Sequence, residues 1–417
     1  MNKPISSWRV LLSVGIGTCL SLIGDAALYT VLPTHTADAG VVLASVGILL
    51  SANRWVRLAT NGAVGWLSDR WPRRRVFVPA LFLGALSTAI YALRPGFALF
   101  LLGRVLWGVA WSGIWVAGNA TIFDIASDGN RGRWIGYYHI SFFLGAASGS
   151  LLGGLLTDWV GYQGAMGIAA GLTTLGALVA LLFLPETRGI KGRTEIVENT
   201  AVSTPKLSSS QTIELSAAVS LLGFNRLVLA GILMSTFGLF LQQLLGETVM
   251  VGRWVIGVAT LTGLGLGTTA LFNMASAPLV GRLSDRVSSR WRVVSGSVAA
   301  GMAGFGLLAW GLPLAILFGL PLTSISSGSN QGLSTALVGD LSGSSGRSRS
   351  GRYLGILFTV GDLGSAIGPP LAYALLPLWG IQGVYWLCVG ALGIMLLVSF
   401  WQGDKGGKRP FARIQLP

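Results

Sequence analysis

The stretch Gly65-Trp66-Leu67-Ser68-Asp69-Arg70 returns as Gly281-Arg282-Leu283-Ser284-Asp285-Arg286, 216 residues further on. Each copy closes a long apolar run and opens into a basic cluster, Arg73, Arg74 and Arg75 after the first and Arg290 and Arg292 after the second. A charged turn repeated at half the chain length points to a duplicated bundle of membrane helices, the usual build of a secondary transporter. The same offset pairs Asp124 with Asp340, and an offset of 219 pairs Arg133 with Arg352 and Gly145 with Gly364.

Composition agrees. Of 417 residues, 52% are hydrophobic and 11% charged, with a mean hydropathy of +0.68. A soluble domain carries about 25% charged residues, so this chain has too few to cover a wet surface. The 60 glycines suit membrane helices that approach closely. Apolar runs long enough to cross about 30 Å of hydrocarbon give twelve spans. Six lie at 9–33, 40–68, 75–94, 97–125, 133–158 and 162–184; six more lie at 224–250, 255–284, 291–310, 312–340, 352–377 and 379–401. The expected fold is an all-α integral membrane protein, two six-helix bundles related by pseudo-two-fold symmetry. Its parts are 1–185, a linker at 186–223, a second bundle at 224–402 and a tail at 403–417.

With a cytoplasmic N-terminus, 24 of the 29 Lys and Arg fall on the inner side of these spans, and only Arg94 and Arg253 on the outer. That asymmetry predicts both termini in the cytoplasm and a plasma (inner) membrane location. The net charge of +14 then faces lipid headgroups and needs no nucleic acid. Cys19 and Cys388 lie within apolar runs and read as packing residues. Two histidines without ligand spacing give no metal site, and no nucleophile triad or phosphate-cradling loop emerges, so neither an enzyme nor a cofactor is expected. The expected partners are the bilayer, a small-molecule substrate and protons, with the chain monomeric.

Three motifs carry a resemblance. The run from Gly65 to Arg75 resembles the loop signature of the major facilitator superfamily, G-x-L-a-D-r-x-G-r-k, with Pro72 where the family has glycine. With the twelve spans and the long central loop, the similarity covers the whole chain and implies the major facilitator fold. It also implies a charge network in which Asp69 and Arg73, within the signature that includes Gly65 and Arg70, join Asp124 to latch one state. Gly281, Asp285, Arg286 and Asp340 repeat that arrangement less completely, since position 289 is Ser. Gly103-Arg104-Val105-Leu106-Trp107-Gly108 is similar to the R-x-x-x-G motif of drug:proton antiporters. The run from Gly145 to Gly154 resembles their G-x-x-x-G-P-x-x-G-G signature, with Ser150 in place of proline.

An arginine as deep as Arg104 is too costly to face lipid, and Asp25 lies at comparable depth. The two are expected to face one another, with Asp25 exchanging a proton when the pair opens. Burial favours its neutral acid, whereas Arg104 favours the carboxylate. Arg54 and Arg57 in the second span and Asp362 in the eleventh form a second expected pairing that breaks and reforms. His139 is a candidate proton relay. Trp107, Trp111 and Trp115, Asn119, Gln242, Gln243, Asn330 and Gln331 are candidates to line a substrate cavity. The expected function is alternating access, with proton-coupled efflux of amphiphilic small molecules. Arg54, Arg57 and Arg104 outnumber Asp25 and Asp362 within the spans, so carriage of an anionic metabolite or lysolipid, outward or inward, is the alternative. A passive channel or scramblase is the second.

Overall fold

The computed structural model describes residues 6–94, 96–127, 130–188, 208–343 and 347–406. Lys3, the linker positions Lys191, Arg193, Glu195, Glu198 and Lys206, and the tail positions Lys408, Arg409 and Arg413 lie outside the described residues.

The first four spans are α1 (Ser7–Val31), followed by the single turn α2 (Thr36–Ala39), then α3 (Leu43–Arg70), α4 (Arg73–Ala92) and α5 (Gly96–Ile125). The fifth and sixth spans are one chain of helix, α6 (Arg131–Phe183), divided at Gly161, whose φ of +76° only a residue without Cβ adopts cheaply. Gly380 divides α12 (Arg347–Gly406) in the same way, giving spans eleven and twelve. Between them come α9 (Val258–Asp285), α10 (Arg290–Ala309) and α11 (Pro313–Gly343). Among the described residues, eight helices, the two divided ones included, are long and apolar enough to cross a membrane. With α3, which carries Arg54 and Arg57, and the serine-rich α11, they account for the twelve spans. The twelve spans expected from the apolar runs are thus present among the described residues.

Span seven departs from its expected bounds. It is a rod of three pieces: α7 (Ser209–Asn225), a π-helical stretch (Arg226–Leu233) and α8 (Met234–Leu245). The helix starts inside the segment expected as linker because Ser208 and Gln211 form a reciprocal capping box. The Ser208 hydroxyl accepts from the Gln211 N–H, and the Gln211 side chain accepts from the Ser208 N–H. The following loop is a hairpin of β1 (Thr248–Val251) and β2 (Trp254–Gly257), where helix had been expected to run to 250 and to resume at 255. Its β-branched and aromatic residues flank Gly252, with φ +60°, and that pattern favours paired strands over helix.

The described chain packs as two compact units. One holds the described residues of Met1–Val202, Ala230–Leu271 and Ser365–Leu378; the other holds those of Ser203–Leu229, Phe272–Gly364 and Trp379–Pro417. These packing units differ from the sequence halves 1–185 and 224–402. In the first unit, small residues let α6 lie directly on α1: a Cβ at Gly145 would come 2.5 Å from the Cys19 carbonyl. Despite the antiporter-like pattern, α6 runs through Ser150 unbroken. In the second unit α10 and α11 meet as closely, with Gly304 against the Gly319 carbonyl. Leu182, Leu317 and Leu397 stand two-thirds exposed or more, as helices facing hydrocarbon require. Trp71, Trp159, Trp310 and Trp379 are exposed at or near helix ends and turns, where tryptophan anchors to a membrane interface.

Candidate functional site

Asp25 and Arg104 meet. Arg104 Nη1 donates to Asp25 Oδ1 at 2.6 Å, Nε donates to the Leu49 carbonyl at 2.9 Å, and Nη2 to the Leu50 carbonyl at 3.4 Å. The Arg104 side chain is 0% exposed and that of Asp25 17%. A fully desolvated guanidinium is tolerable only when its charge and its donors are both answered, and here one carboxylate and two carbonyls do so. Tyr29 supplies an aromatic face 5.7 Å from the Arg104 guanidinium, with its own hydroxyl donating to the Leu50 carbonyl at 2.6 Å. The carboxylate is the part of the pair that keeps an opening.

Of the second expected group, Arg54 is buried on α3 and its Nη1 donates to two backbone carbonyls, of Ala230 and Ser365. Arg57 is half-buried on the same helix, and Asp362, also half-buried, belongs to the other compact unit.

The charged loop after α3 is a connected network. Arg73 Nε donates to Asp124 Oδ2 at 3.2 Å and its Nη1 lies 3.7 Å from Asp69 Oδ1, while the same group donates to the Ser68 carbonyl. Asp69, Arg73 and Asp124 thus come together as the resemblance implies. Arg70 does not join them: it is exposed and stacks on Trp66 at 4.0 Å. Sequence reasoning missed Glu186, Thr187 and Arg188. The Glu186 carboxylate accepts from the N–H groups of Arg73 and Arg74, at 2.9 and 3.1 Å, where the exposed N–H groups at the start of α4 favour an anion. The Thr187 hydroxyl donates to Asp124 Oδ2 at 3.0 Å, and Arg188 donates to the carbonyls of Asp69 and Arg70. The available signal was an acidic residue just past span six, in a chain whose nearest loop holds three arginines.

The repeat is more complete than its sequence suggests. Arg290, one position beyond Ser289, donates to Asp340 Oδ2 at 2.7 Å and to Asp285 Oδ1 at 2.6 Å, with a third bond to the Ser284 hydroxyl at 2.6 Å. Ser289 instead occupies the N-cap of α10, which moves the arginine one residue along. Arg286 is exposed and takes no part. A Cβ at Gly65 or Gly281 would meet nothing within 4 Å.

The cavity candidates separate. Trp107 and Trp111, 1% and 6% exposed, pack in the apolar core with Phe77, Leu81 and Ile114. Their stack, with centroids 5.9 Å apart, continues to the half-buried Trp115 at 5.7 Å, and Trp115 stacks on His139 at 5.2 Å. Asn119 is half-buried and donates to the Trp115 carbonyl one turn back. Gln242 and Gln243 sit in the last turn of α8, beside the hairpin and away from mid-span. Asn330 is 0% exposed; its amide nitrogen donates to Ser326 Oγ, and its Oδ1 has no partner among the described residues. Gln331 is half-buried on the same helix. Asp158, which sequence reasoning passed over, accepts from the Thr260 N–H at 2.8 Å and hydroxyl at 2.5 Å, capping the first turn of α9.

The sequence profile described as Major Facilitator Superfamily matches residues 14–341 and 227–415. Among curated relatives, the class G tetracycline resistance protein of Vibrio anguillarum is 29% identical, over 94% of this chain and 95% of its own length. The class B tetracycline resistance protein of Escherichia coli is 27% identical, over 96% and 98%. Among solved structures, a bacterial homologue of the human lysosomal transporter Spinster, inward-facing and unoccupied, superposes with a TM-score of 0.77 at 15% identity, covering 98% of this chain and 100% of that one. A twelve-span duplicated bundle, a connected Asp69–Arg73–Asp124 network and a profile matching nearly the full length lead to one conclusion: the chain belongs to the Major Facilitator Superfamily, as a multi-pass membrane transporter and not an enzyme.

Proposed function

We propose that this transporter is a drug:proton antiporter, exporting amphiphilic small molecules as protons enter. The observation that carries the reading is the Asp25–Arg104 pair, 2.6 Å apart with the cation fully buried and the carboxylate partly open. Protonating Asp25 in place would strip Arg104 of its countercharge in a low-dielectric setting, where that attraction is strongest. Proton uptake is therefore tied to separation of the pair or to arrival of another group beside Arg104. Proton and substrate then exchange for one another through one arginine. The similarity to tetracycline resistance proteins over nearly the full length favours a substrate of that kind, amphiphilic and small. In this reading the chain works as a monomer with two six-helix halves, and both termini and the arginine-rich loops face the cytoplasm. The halves rock, presenting a site to each side in turn.

The test is reconstitution into liposomes with an imposed pH gradient and a panel of cationic, neutral and anionic compounds. Flux of a cationic or neutral amphiphile driven by the gradient is expected, with Asp25→Asn abolishing the gradient dependence. Transport that ignores the gradient, or Asp25→Asn moving protons normally, refutes the proton role. Selective transport of anions would move the reading to the anionic-substrate alternative.

A further inference from the structure

Two helices are interrupted where a single arginine reaches them. A proline has no N–H for the carbonyl four residues earlier, so Pro369 in α12 frees the carbonyl of Ser365. At the end of a π stretch the ladder returns from i→i+5 to i→i+4 bonds, and one carbonyl is skipped. The π stretch runs to Leu233, so this change of ladder falls in the turn that holds Ala230. Arg54 Nη1 donates to both carbonyls, at 2.9 Å to Ala230 and 2.5 Å to Ser365.

The surroundings are built for that reach. One heptad before Arg54, Gly47 lies against the proline pair: a Cβ there would come 2.8 Å from the Pro369 carbonyl. Gly231 lies against Gly368, with 2.7 Å from a Cβ to the Gly368 Cα. The guanidinium rests 5.2 Å from the ring centre of Tyr29. Ala230 and Ser365 are also the first residues of the segments of spans seven and eleven that pack within the first compact unit.

We propose that Arg54 is a positioning residue for alternating access. It caps the carbonyls at the two interruptions, and so holds the segments beginning at Ala230 and Ser365 against α1 and α3. The state in which those segments swing away requires the grip to be released. Only this last step rests on the transporter cycle proposed above; the grip itself does not.

The test uses the full chain carrying Cys19→Ser, Cys388→Ser and Ala372→Cys, the last position being fully buried within Ser365–Leu378. In liposomes without substrate or gradient, maleimide labelling is expected about tenfold faster with Arg54→Gln, as for loss of one charge-assisted hydrogen bond, and intermediate with Arg54→Lys. Pro369→Ala returns an N–H to the Ser365 carbonyl, so adding it to Arg54→Gln is expected to slow labelling again. A reporter at Ala117→Cys, fully buried in the core of the first unit, is expected to stay protected throughout. Three results would each overturn the proposal: equal labelling with and without Arg54, a Pro369→Ala background that changes nothing, or equal loss of protection at Ala117→Cys. If Arg54→Gln does not fold, Arg54→Lys with and without Pro369→Ala makes the same comparison. Gradient-insensitive transport alongside a normal labelling pattern would refute the antiport reading alone.

Discussion

Three arginines differ in how far water shares their charge, and this ranks what they do. Arg104 is wholly buried, Arg73 is 14% exposed, and Arg290 is 24% exposed between carboxylates that are themselves 62% and 59% exposed. Removing one partner of a buried pair costs about 3–5 kcal/mol, so Asp25→Ala should lower the unfolding temperature in detergent by several degrees. Asp25→Ala with Arg104→Met should recover part of that loss, because the uncompensated charge goes too. Solvent-exposed pairs contribute about 0–1 kcal/mol, so Arg290→Ala should hardly move the unfolding temperature. A large drop there would mean that the second network is more than an interfacial pairing. Asp25 and Arg104 were legible as a pair because ionised groups of opposite sign at equal depth have few other partners. The core role of Trp107 and Trp111 was not legible, since an aromatic at helical spacing faces a cavity or a neighbour according to the rotation of its helix.

At the scale of elements, glycine divides into two classes that composition does not distinguish. Gly145 holds α6 on α1, and a side chain there meets the Cys19 backbone. Overpacking of this kind costs about 1–3 kcal/mol, so Gly145→Val is expected to lower stability clearly in thermal unfolding. Gly65 and Gly281 have open space where a Cβ would stand, and alanine gains up to about 1 kcal/mol over glycine inside a helix. Gly65→Ala should therefore be as stable as the parent or more so; a loss would mean that the described packing around α3 is not the populated one. The helical content was readable from apolar runs alone. The early start of α7 turns on a capping box whose two residues lie in a polar stretch, and the hairpin at 248–257 turns on local strand preference, so neither announces itself through hydropathy.

For the whole molecule, the distribution of basic loops leads to an orientation that can be measured. Trp71→Cys and Met250→Cys lie at exposed positions of the first charged loop and of the hairpin. An impermeant maleimide is expected to label Met250→Cys in intact cells and Trp71→Cys only in inverted vesicles. The reverse pattern would place the arginine-rich loops outside and contradict the topology. The repeat of 216 residues predicted the paired networks, yet it placed the second arginine at 289, which is serine, and the side chain that serves is Arg290. A helix end tolerates a one-residue shift because a long guanidinium reaches the same carboxylates from either position.

Spans, duplication and family were determined by the sequence alone, because hydrocarbon imposes a one-dimensional rule: about 20 apolar residues per crossing, with charges outside or paired. Which groups the charges inside meet was decided only by tertiary structure. Arg54 is bound to carbonyls 176 and 311 residues away, beside a π stretch and a proline, and Glu186 is drawn to the start of a helix 112 residues earlier. Such partners depend on how helices rotate and cross, and no periodicity along a single chain encodes that.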